Sequence, residues 1–302
     1  MAVQTRAIKR RIKSVKNTRK ITKAMELVSA SKMRRAVNSV LASRSYSKLA
    51  WSVVSAIGAH SDTQLHPLLR ARGNAKKILL VIISSDRGLA GGFNTNITRK
   101  MREKIKAIEK DGKIETICIG KRGADVVRRL GLPIKASFVG ITNNAKFEEV
   151  LPIGRMVIDE FTKASFDKVV LCYTDYVSAV TQTAVAMDLL PLCEASAQTV
   201  GTIGKETREK SNAMETCEFS FEPSPREVLD KMLPRIVETI VYQAVLESAA
   251  SEHSARMMAM RNASDAAGEM IDDLTFTFNQ ARQAGITQEI AEISSGKAAL
   301  EG

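Results

Sequence analysis

The N-terminal part of the chain follows a pattern typical of one long helix. No proline or glycine occurs from Ala2 to Ser55, and these two residue types most disfavour a helix interior. Ile8, Ile12 and Val15 recur at helical spacing and share one face. The later apolar residues of this segment fall on nearly the opposite face. The pattern predicts a helix of roughly 80 Å that meets different neighbours along its length.

In the middle of the chain the long helical pattern gives way to short apolar runs that are typical of strands. Short runs rich in β-branched residues alternate with segments at helical spacing, an order that indicates βαβ units and a parallel sheet. A further run, 180–189, follows the last predicted strand closely enough to be its hairpin partner. The predicted strands are 78–83, 114–119, 134–139 and 168–174, and the predicted helices are 95–111, 121–130 and 146–164.

A second long helix is predicted for the C-terminal part. One set of its residues alternates steps of 3 and 4, which is the spacing of a coiled-coil seam. Each long helix has an apolar stripe that it cannot bury alone, and packing the two helices together buries both. We therefore predict an α/β protein whose two long terminal helices form a coiled coil, with the α/β domain inserted between them. The seam residues are Met260, Ala263, Ala267, Met270, Leu274, Thr277 and Ala281.

The same patterns predict the domain limits. The N-terminal coiled-coil helix covers 1–58, and the α/β globular domain covers 75–192. A polar stretch over 193–225 reads as a connecting loop, and the C-terminal coiled-coil helix covers 226–300.

Charge is concentrated at the N-terminus. The chain holds 45 Lys or Arg and 33 Asp or Glu, a formal charge of +12. Residues 1–48 hold 14 of these bases and the single acid Glu26, which is +13, so the remainder sums to −1. Five lysines step by 4, 3, 4 and 3 and share one stripe of the helix: Lys9, Lys13, Lys16, Lys20 and Lys23.

Such a stripe could bind nucleic acid, bind an acidic protein surface, or simply be exposed to solvent. Residues 1–45 contain no aromatic residue on which a base would stack, so we favour an acidic protein surface and predict no nucleic-acid binding.

Candidate chemistry is sparse. The glycine-rich segment 84–94 matches neither GxGxxG nor GxxxxGK[ST], and we interpret it as a tight turn between a strand and a helix. Asp86 with Asp175, or Glu148 with Glu149, would be possible acid/base pairs, but nothing in the sequence brings them to a nucleophile. The four cysteines and three histidines have no metal-ligand spacing. We predict no catalytic site, no cofactor and no metal.

Three segments carry a resemblance to a known family. Residues 11–35, which include the run Lys-Ile-Thr-Lys-Ala-Met-Glu-Leu-Val-Ser-Ala, resemble the N-terminal helix of the gamma subunit of F-type (F1Fo) ATP synthases, bacterial type. Residues 251–266 and 281–293 resemble its C-terminal helix, and the run Ser-Asp-Arg-Gly-Leu-Ala-Gly-Gly at 85–92 resembles a turn of its central domain. The resemblance spans nearly the whole chain in the family's order.

The resemblance implies an antiparallel coiled coil with an inserted Rossmann-like α/β domain. It also implies a non-catalytic rotor in the central stalk, which transmits torque between the c ring and the β subunits of the α3β3 ring. The α/β domain would meet the epsilon subunit and the c ring. The chain would be peripheral at the cytoplasmic face of the bacterial inner membrane, without a membrane span. The residues expected to contact β subunits are Met25, Arg282, Gln283, Thr287 and Glu289.

The lysine stripe faces the ring in this interpretation, an inference from its charge alone. The alternative is a static coiled-coil adaptor that binds an acidic partner, since a stiff shaft serves both functions.

Overall fold

The computed structural model describes residues 2–60, 66–70, 72, 76–108, 112–192 and 224–301. The predicted connecting loop, 193–225, lies almost entirely outside the described residues. The helices are α1 (Ala2–His60), α2 (Phe93–Ile108), α3 (Lys121–Arg129), α4 (Phe147–Thr162) and α5 (Pro225–Glu301). The strands are β1 (Lys77–Ile83), β2 (Lys113–Ile119), β3 (Ile134–Phe138), β4 (Lys168–Tyr176) and β5 (Gln182–Leu190), and a short 3-10 helix covers Ile141–Asn143.

The strands form one sheet in the order β3-β2-β1-β4-β5. Neighbouring strands from β3 to β4 are parallel, and β5 pairs with β4 as an antiparallel hairpin. This confirms the predicted parallel sheet, its strands and helices to within a few residues, and the hairpin. In the central strand β1 every residue after Lys77 is buried, as expected for a strand covered on both faces.

Residue contacts divide the chain into two units. The helical unit contains Met1–Val28 and Met257–Gly302, and the sheet unit contains Ser29–Arg256. The division cuts α1 and α5, so part of each long helix belongs to the sheet unit.

Two apolar clusters hold the sheet unit together. One lies between the sheet and the helices α2 and α3, and includes Ile97, Met101 and Val127. The other lies on the opposite face, where α4 and residues 225–256 of α5 pack on the sheet, and includes Phe161 and Tyr173. The unit therefore has three layers, with the sheet in the middle.

Candidate partner interface

The two helices of the helical unit are antiparallel neighbours. The hydroxyl oxygens of Thr22 and Ser264 lie 2.6 Å apart in a buried hydrogen bond. Thr22 also donates a 3.0 Å hydrogen bond to the carbonyl of Arg19, which leaves Ser264 as the donor between the helices. The Arg19 guanidinium lies against Gly268, where a Cβ would stand 3.4 Å from Cζ. From the first contact to the second the residue number falls on α1 and rises on α5, so the two helices run in opposite directions. This confirms the antiparallel coiled coil.

The seam of α5 differs in part from the predicted one. Met270 is 44% exposed and Thr277 is exposed, so the prediction is wrong at these two positions. The sequence pattern selected flexible and small side chains, whereas the polar Ser264 occupies a seam position through its hydrogen bond to Thr22. Buried and half-buried residues with alternating steps of 4 and 3 are Met260, Ser264, Ala267, Ile271, Leu274, Phe278 and Ala281.

The seam of α1 changes character along the helix. Its first part is apolar and contains Ile8, Ile12 and Val15, all half-buried. The same spacing then reaches Arg19, the buried Thr22 and Glu26, which are polar. The apolar residues nearby are left on the outside: Ile21, Leu27 and Val28 are 61%, 62% and 57% exposed. This part of α1 therefore presents apolar surface outward.

The five stripe lysines are all exposed. With Arg6, Arg10 and Arg19 they line a groove of about 1230 Å³ on the helical unit, and Asp265 is the one acid among the lining residues. Lys23 also forms a 2.9 Å ion pair with Glu26. The groove is therefore strongly cationic.

The C-terminal part of α5 extends past its neighbour. In the pairs Thr22 with Ser264 and Arg19 with Gly268 the residue numbers sum to 286 or 287, so residues beyond about 285 have no counterpart in α1. Arg282, Gln283, Thr287 and Glu289 are exposed, and their side chains form no hydrogen bond or ion pair with described residues. Sequence reasoning overlooked three exposed isoleucines here, although their spacing of 4 and 3 was visible: Ile286, Ile290 and Ile293.

The predicted contact residues do not converge on one site. Met25 is half-buried beside the seam. Because paired residue numbers sum to about 286, Met25 of α1 lies opposite residue 261 of α5. Residue 261 is about 21 residues, or roughly 30 Å, along α5 from Arg282. The predicted contacts thus form two separate zones.

The glycine-rich segment 84–94 makes the predicted turn. The Asp86 carboxylate accepts hydrogen bonds from the backbone N–H groups of Lys121, at 3.0 Å, and Gly140, at 2.8 Å. Ser85 Oγ donates a 2.6 Å hydrogen bond to the carbonyl of Arg87. Among the described glycines, however, the closest backbone approach involves Gly120, which lies outside the segment. The carboxylate joins the loops that follow β1, β2 and β3.

The carboxylates considered as acid/base pairs occupy structural positions. Asp175 lies at the end of β4 beside Glu247 of α5, and burial raises the pKa of Asp175. Glu148 and Glu149 are exposed in the first turn of α4.

A buried ion pair ties α5 to the loop after β1. Arg256 Nη2 lies 2.8 Å from Glu252 Oε1, and both side chains are at least 90% buried. The same nitrogen donates to the carbonyls of Arg87 and Gly88, at 3.5 and 3.4 Å. Burial raises the pKa of Glu252 despite this arginine. Sequence reasoning did not foresee the burial of this pair, because the loop carbonyls to which Arg256 also donates lie far away in sequence.

Among the described residues, no helix combines the length and apolar character needed to cross a membrane.

Known proteins resemble this chain over most of its length. The protein-family model described as ATP synthase matches residues 4–300. The ATP synthase gamma chain of Heliobacterium modesticaldum is 41% identical over 295 residues, which cover 98% of each protein. The ATP synthase gamma chain of Herpetosiphon aurantiacus is 42% identical over 303 residues, again with 98% of each covered.

Solved structures show the same architecture. A chain from the central stalk and c ring of the Tetrahymena thermophila mitochondrial ATP synthase has a TM-score of 0.60 and 28% identity, covering 81% of this chain and 99% of its own. A chain of the Euglena gracilis mitochondrial ATP synthase has a TM-score of 0.66 over 99% of this chain and 95% of its own, and at 19% identity it shows the fold alone. With the family match and the full-length relatives, these similarities show that the chain belongs to the gamma-chain family of ATP synthases.

Proposed function

We propose that this chain is the rotor subunit in the central stalk of an ATP synthase and transmits torque between the c ring and the catalytic β subunits. The observation that carries the proposal is the 41% identity to an ATP synthase gamma chain over 98% of both proteins. The chain is a stalk subunit, and the catalytic sites belong to other subunits of the complex.

The helical unit has the properties of a shaft. A single long helix bends easily, whereas two helices in contact along a seam restrain each other against bending and twisting. The side chain of Ala267 is small and buried, and the absent side chain of Gly268 leaves room for the Arg19 guanidinium of the facing helix.

Two zones of the shaft contact β subunits in this proposal. Met25 serves the zone near the middle of the helical unit, and Arg282, Gln283, Thr287 and Glu289 serve the zone near the end of α5. The latter four have no partner among the described side chains, so binding to a β subunit breaks no interaction within those residues. The exposed isoleucines of the same zone add apolar surface without directional bonds.

The lysine stripe supports contacts that must break and re-form. Ion pairs between exposed side chains are worth only about 0–1 kcal/mol each. Because the stripe lysines are exposed, acidic surfaces of the surrounding ring attract the shaft without fixing one orientation.

The remaining assignments follow from the same proposal. The α/β domain, 75–192, meets the epsilon subunit and the c ring, with 1–58 and 226–300 as the coiled-coil helices. The chain is peripheral to the membrane complex. It lies on the cytoplasmic face of the bacterial inner membrane, a placement supported by its full-length bacterial relatives.

Co-expression tests the proposal. We expect the full chain to co-purify with α, β, epsilon and c subunits in one complex, and a bead attached to the c ring to rotate during ATP hydrolysis. Omission of the chain should leave α and β subunits without coupled rotation. A chain that remains monomeric beside all of these subunits would contradict the rotor function, and a complex without rotation would favour a static adaptor.

A further inference from the structure

A second cationic groove lies in the sheet unit, between α2 and α3. Its volume is about 800 Å³, and one acid, Glu103, is among its lining residues. That carboxylate is paired with Lys100 at 3.5 Å, outside the groove lining. The cations of the groove have no acidic partner among the described residues: Arg99, Arg102, Lys106, Arg122 and Arg129.

The cations form two facing rows. Arg99, Arg102 and Lys106 step by 3 and 4 and therefore lie along one face of α2. Arg122 and Arg129, two turns apart, lie along α3. Each row extends over seven residue steps, about 10 Å of helix axis. The groove thus has a positive rim on both sides for roughly two helical turns.

Apolar side chains lie between the two rows. Val126 and Leu132 are half-buried, and Leu130 is 39% exposed. Ile105 completes the lining from α2 and is buried. The accessible apolar surface of the strip therefore comes from Val126, Leu130 and Leu132. An apolar strip between two charged rims is complementary to a ligand with an apolar stripe flanked by opposite charges.

We propose that the groove between α2 and α3 is the docking site for an acidic amphipathic helix of a partner protein. Such a helix places apolar residues at i, i+3, i+4 and i+7 on the strip, and Asp or Glu on either side against the arginines. Arginine suits these rims because its planar guanidinium binds a carboxylate through two hydrogen bonds. Because the groove is positively charged, it attracts acidic helices and repels basic ones.

The groove geometry favours this occupant over other polyanions. A bilayer surface is flat and does not reach an apolar strip between two helices. Single-stranded nucleic acid is recognised by aromatic stacking, and the described groove lining contains no aromatic residue. The groove lies on the face of the sheet opposite the α5 segment, and the inference does not depend on the rotor function.

A designed peptide tests the proposal with the full chain. The probe is a synthetic helix of about 18 residues, with leucine on one face and glutamate on the other, carrying a fluorophore for anisotropy. Controls are a scrambled peptide of the same composition, vesicles of phosphatidylglycerol, single-stranded DNA, and ATP. Of these ligands, we expect only the amphipathic peptide to bind saturably, and we expect its affinity to fall with added salt.

Charge reversal locates the site. The double variant Arg102→Glu/Arg122→Glu should weaken peptide binding at least tenfold, because each rim loses a cation and gains a repulsive charge. The matched control, Lys146→Glu/Lys163→Glu, changes the net charge equally at exposed sites flanking α4, on the other face of the sheet, and should leave affinity within about twofold. Leu130→Asn should weaken binding without charge change. Circular dichroism establishes that each variant is folded.

Several results would overturn the proposal. If the control variant weakened peptide binding equally, the effect would come from net charge and not from the groove. If the scrambled peptide bound equally well, the site would not recognise an amphipathic helix. Binding of vesicles, DNA or ATP that displaces the peptide and depends on Arg102 and Arg122 would assign the groove to that ligand. No binding of the peptide at millimolar concentration would leave the groove without this role.

Discussion

At the scale of single residues, Gly120, directly after β2, has the closest backbone approach among the described glycines. Its φ is +95°, and a Cβ at this position would stand 2.1 Å from the Ser84 carbonyl oxygen. Ser84 Oγ also accepts a 2.7 Å hydrogen bond from the N–H of Gly123. The close approach lets the end of β1 contact the start of α3, which positions both helices of the α2–α3 groove.

Gly120→Ala should therefore destabilise the sheet unit severely. We expect a loss of at least about 3 kcal/mol, from the positive φ and the backbone clash together. The control is Gly131→Ala, since Gly131 also has a positive φ, +71°, but open space around it. That variant should lose about 1–2 kcal/mol. Urea unfolding followed by circular dichroism measures both, and equal losses would contradict the clash.

His253 is a buried base in a cationic environment. It is 3% exposed, and its Nδ1 lies 3.4 Å from Arg256 Nη1. Burial is the main cause that lowers the pKa of His253, the nearby charges of Arg256, Lys32 and Arg35 act in the same direction, and together they bring it to about 4. The folded protein therefore holds this imidazole neutral at pH values where the unfolded chain protonates it.

This residue makes stability fall on acidification. Between pH 6.5 and about 4 the unfolded state binds the proton and the folded state does not. Across this window His253 should cost about 3 kcal/mol of unfolding free energy, with no further loss below pH 4. The measurement compares urea unfolding of the wild type and His253→Asn at each pH, because other titrating groups cancel in the difference. A difference that does not change with pH would contradict the buried neutral imidazole.

At the scale of elements, the coiled coil depends on which residues of α5 face α1. The seam contains Ile271, which is 8% exposed, while its neighbour Met270 is 44% exposed. One polar layer, Thr22 with Ser264, lies in the same seam. A buried polar pair favours one register, because a shifted register leaves its hydroxyl groups unpaired.

Alanine substitutions distinguish the two possible seams. Ile271→Ala should destabilise the helical unit by about 2 kcal/mol or more through the cavity that it leaves. Met270→Ala should change stability by less than about 1 kcal/mol, because its side chain is largely in solvent. Hydrogen exchange of the helix amides near both sites is the suitable measurement, since it reports local opening. A larger loss for Met270→Ala would restore the seam predicted from the sequence.

At the scale of the whole molecule, the functional surfaces are separated along the chain. The positive charge of residues 1–48 lies in α1, and the candidate β-contact residues near the end of α5 are exposed. A rotor needs surfaces that act on other subunits without contributing to its own fold. Changes at these residues should therefore alter coupling without altering stability.

Arg282→Ala/Gln283→Ala tests this separation. Unfolding of the isolated chain should shift by no more than about 0.5 kcal/mol. ATP synthesis by the reconstituted complex should fall about tenfold, which corresponds to ~1.4 kcal/mol of lost coupling interaction. Glu269→Ala/Asp272→Ala, exposed on the paired part of the same helix, is the control and should retain synthesis. Full synthesis by the first variant would remove both residues from the contact zone.

Much of the fold was predictable because its signals are local. The central strand β1 is continuously apolar because both its faces are covered, and the hairpin follows from the short connection between β4 and β5. The candidate contact residues near the end of α5 came from family motifs, not from local physics. The α2–α3 groove was not predictable, because its two rims come from different helices and meet only in the folded unit.

The sequence by itself determined the periodicities, and with them the long terminal helices, the parallel sheet and the concentration of charge at the N-terminus. Only the tertiary structure decided which polar residues are buried. Ser264 enters the coiled-coil seam, and Glu252 with Arg256 ties α5 to a distant loop. The physical reason is that a polar side chain becomes acceptable in the interior once partners satisfy its hydrogen bonds. Those partners, Thr22 for Ser264 and the carbonyls of Arg87 and Gly88 for Arg256, lie far away in sequence.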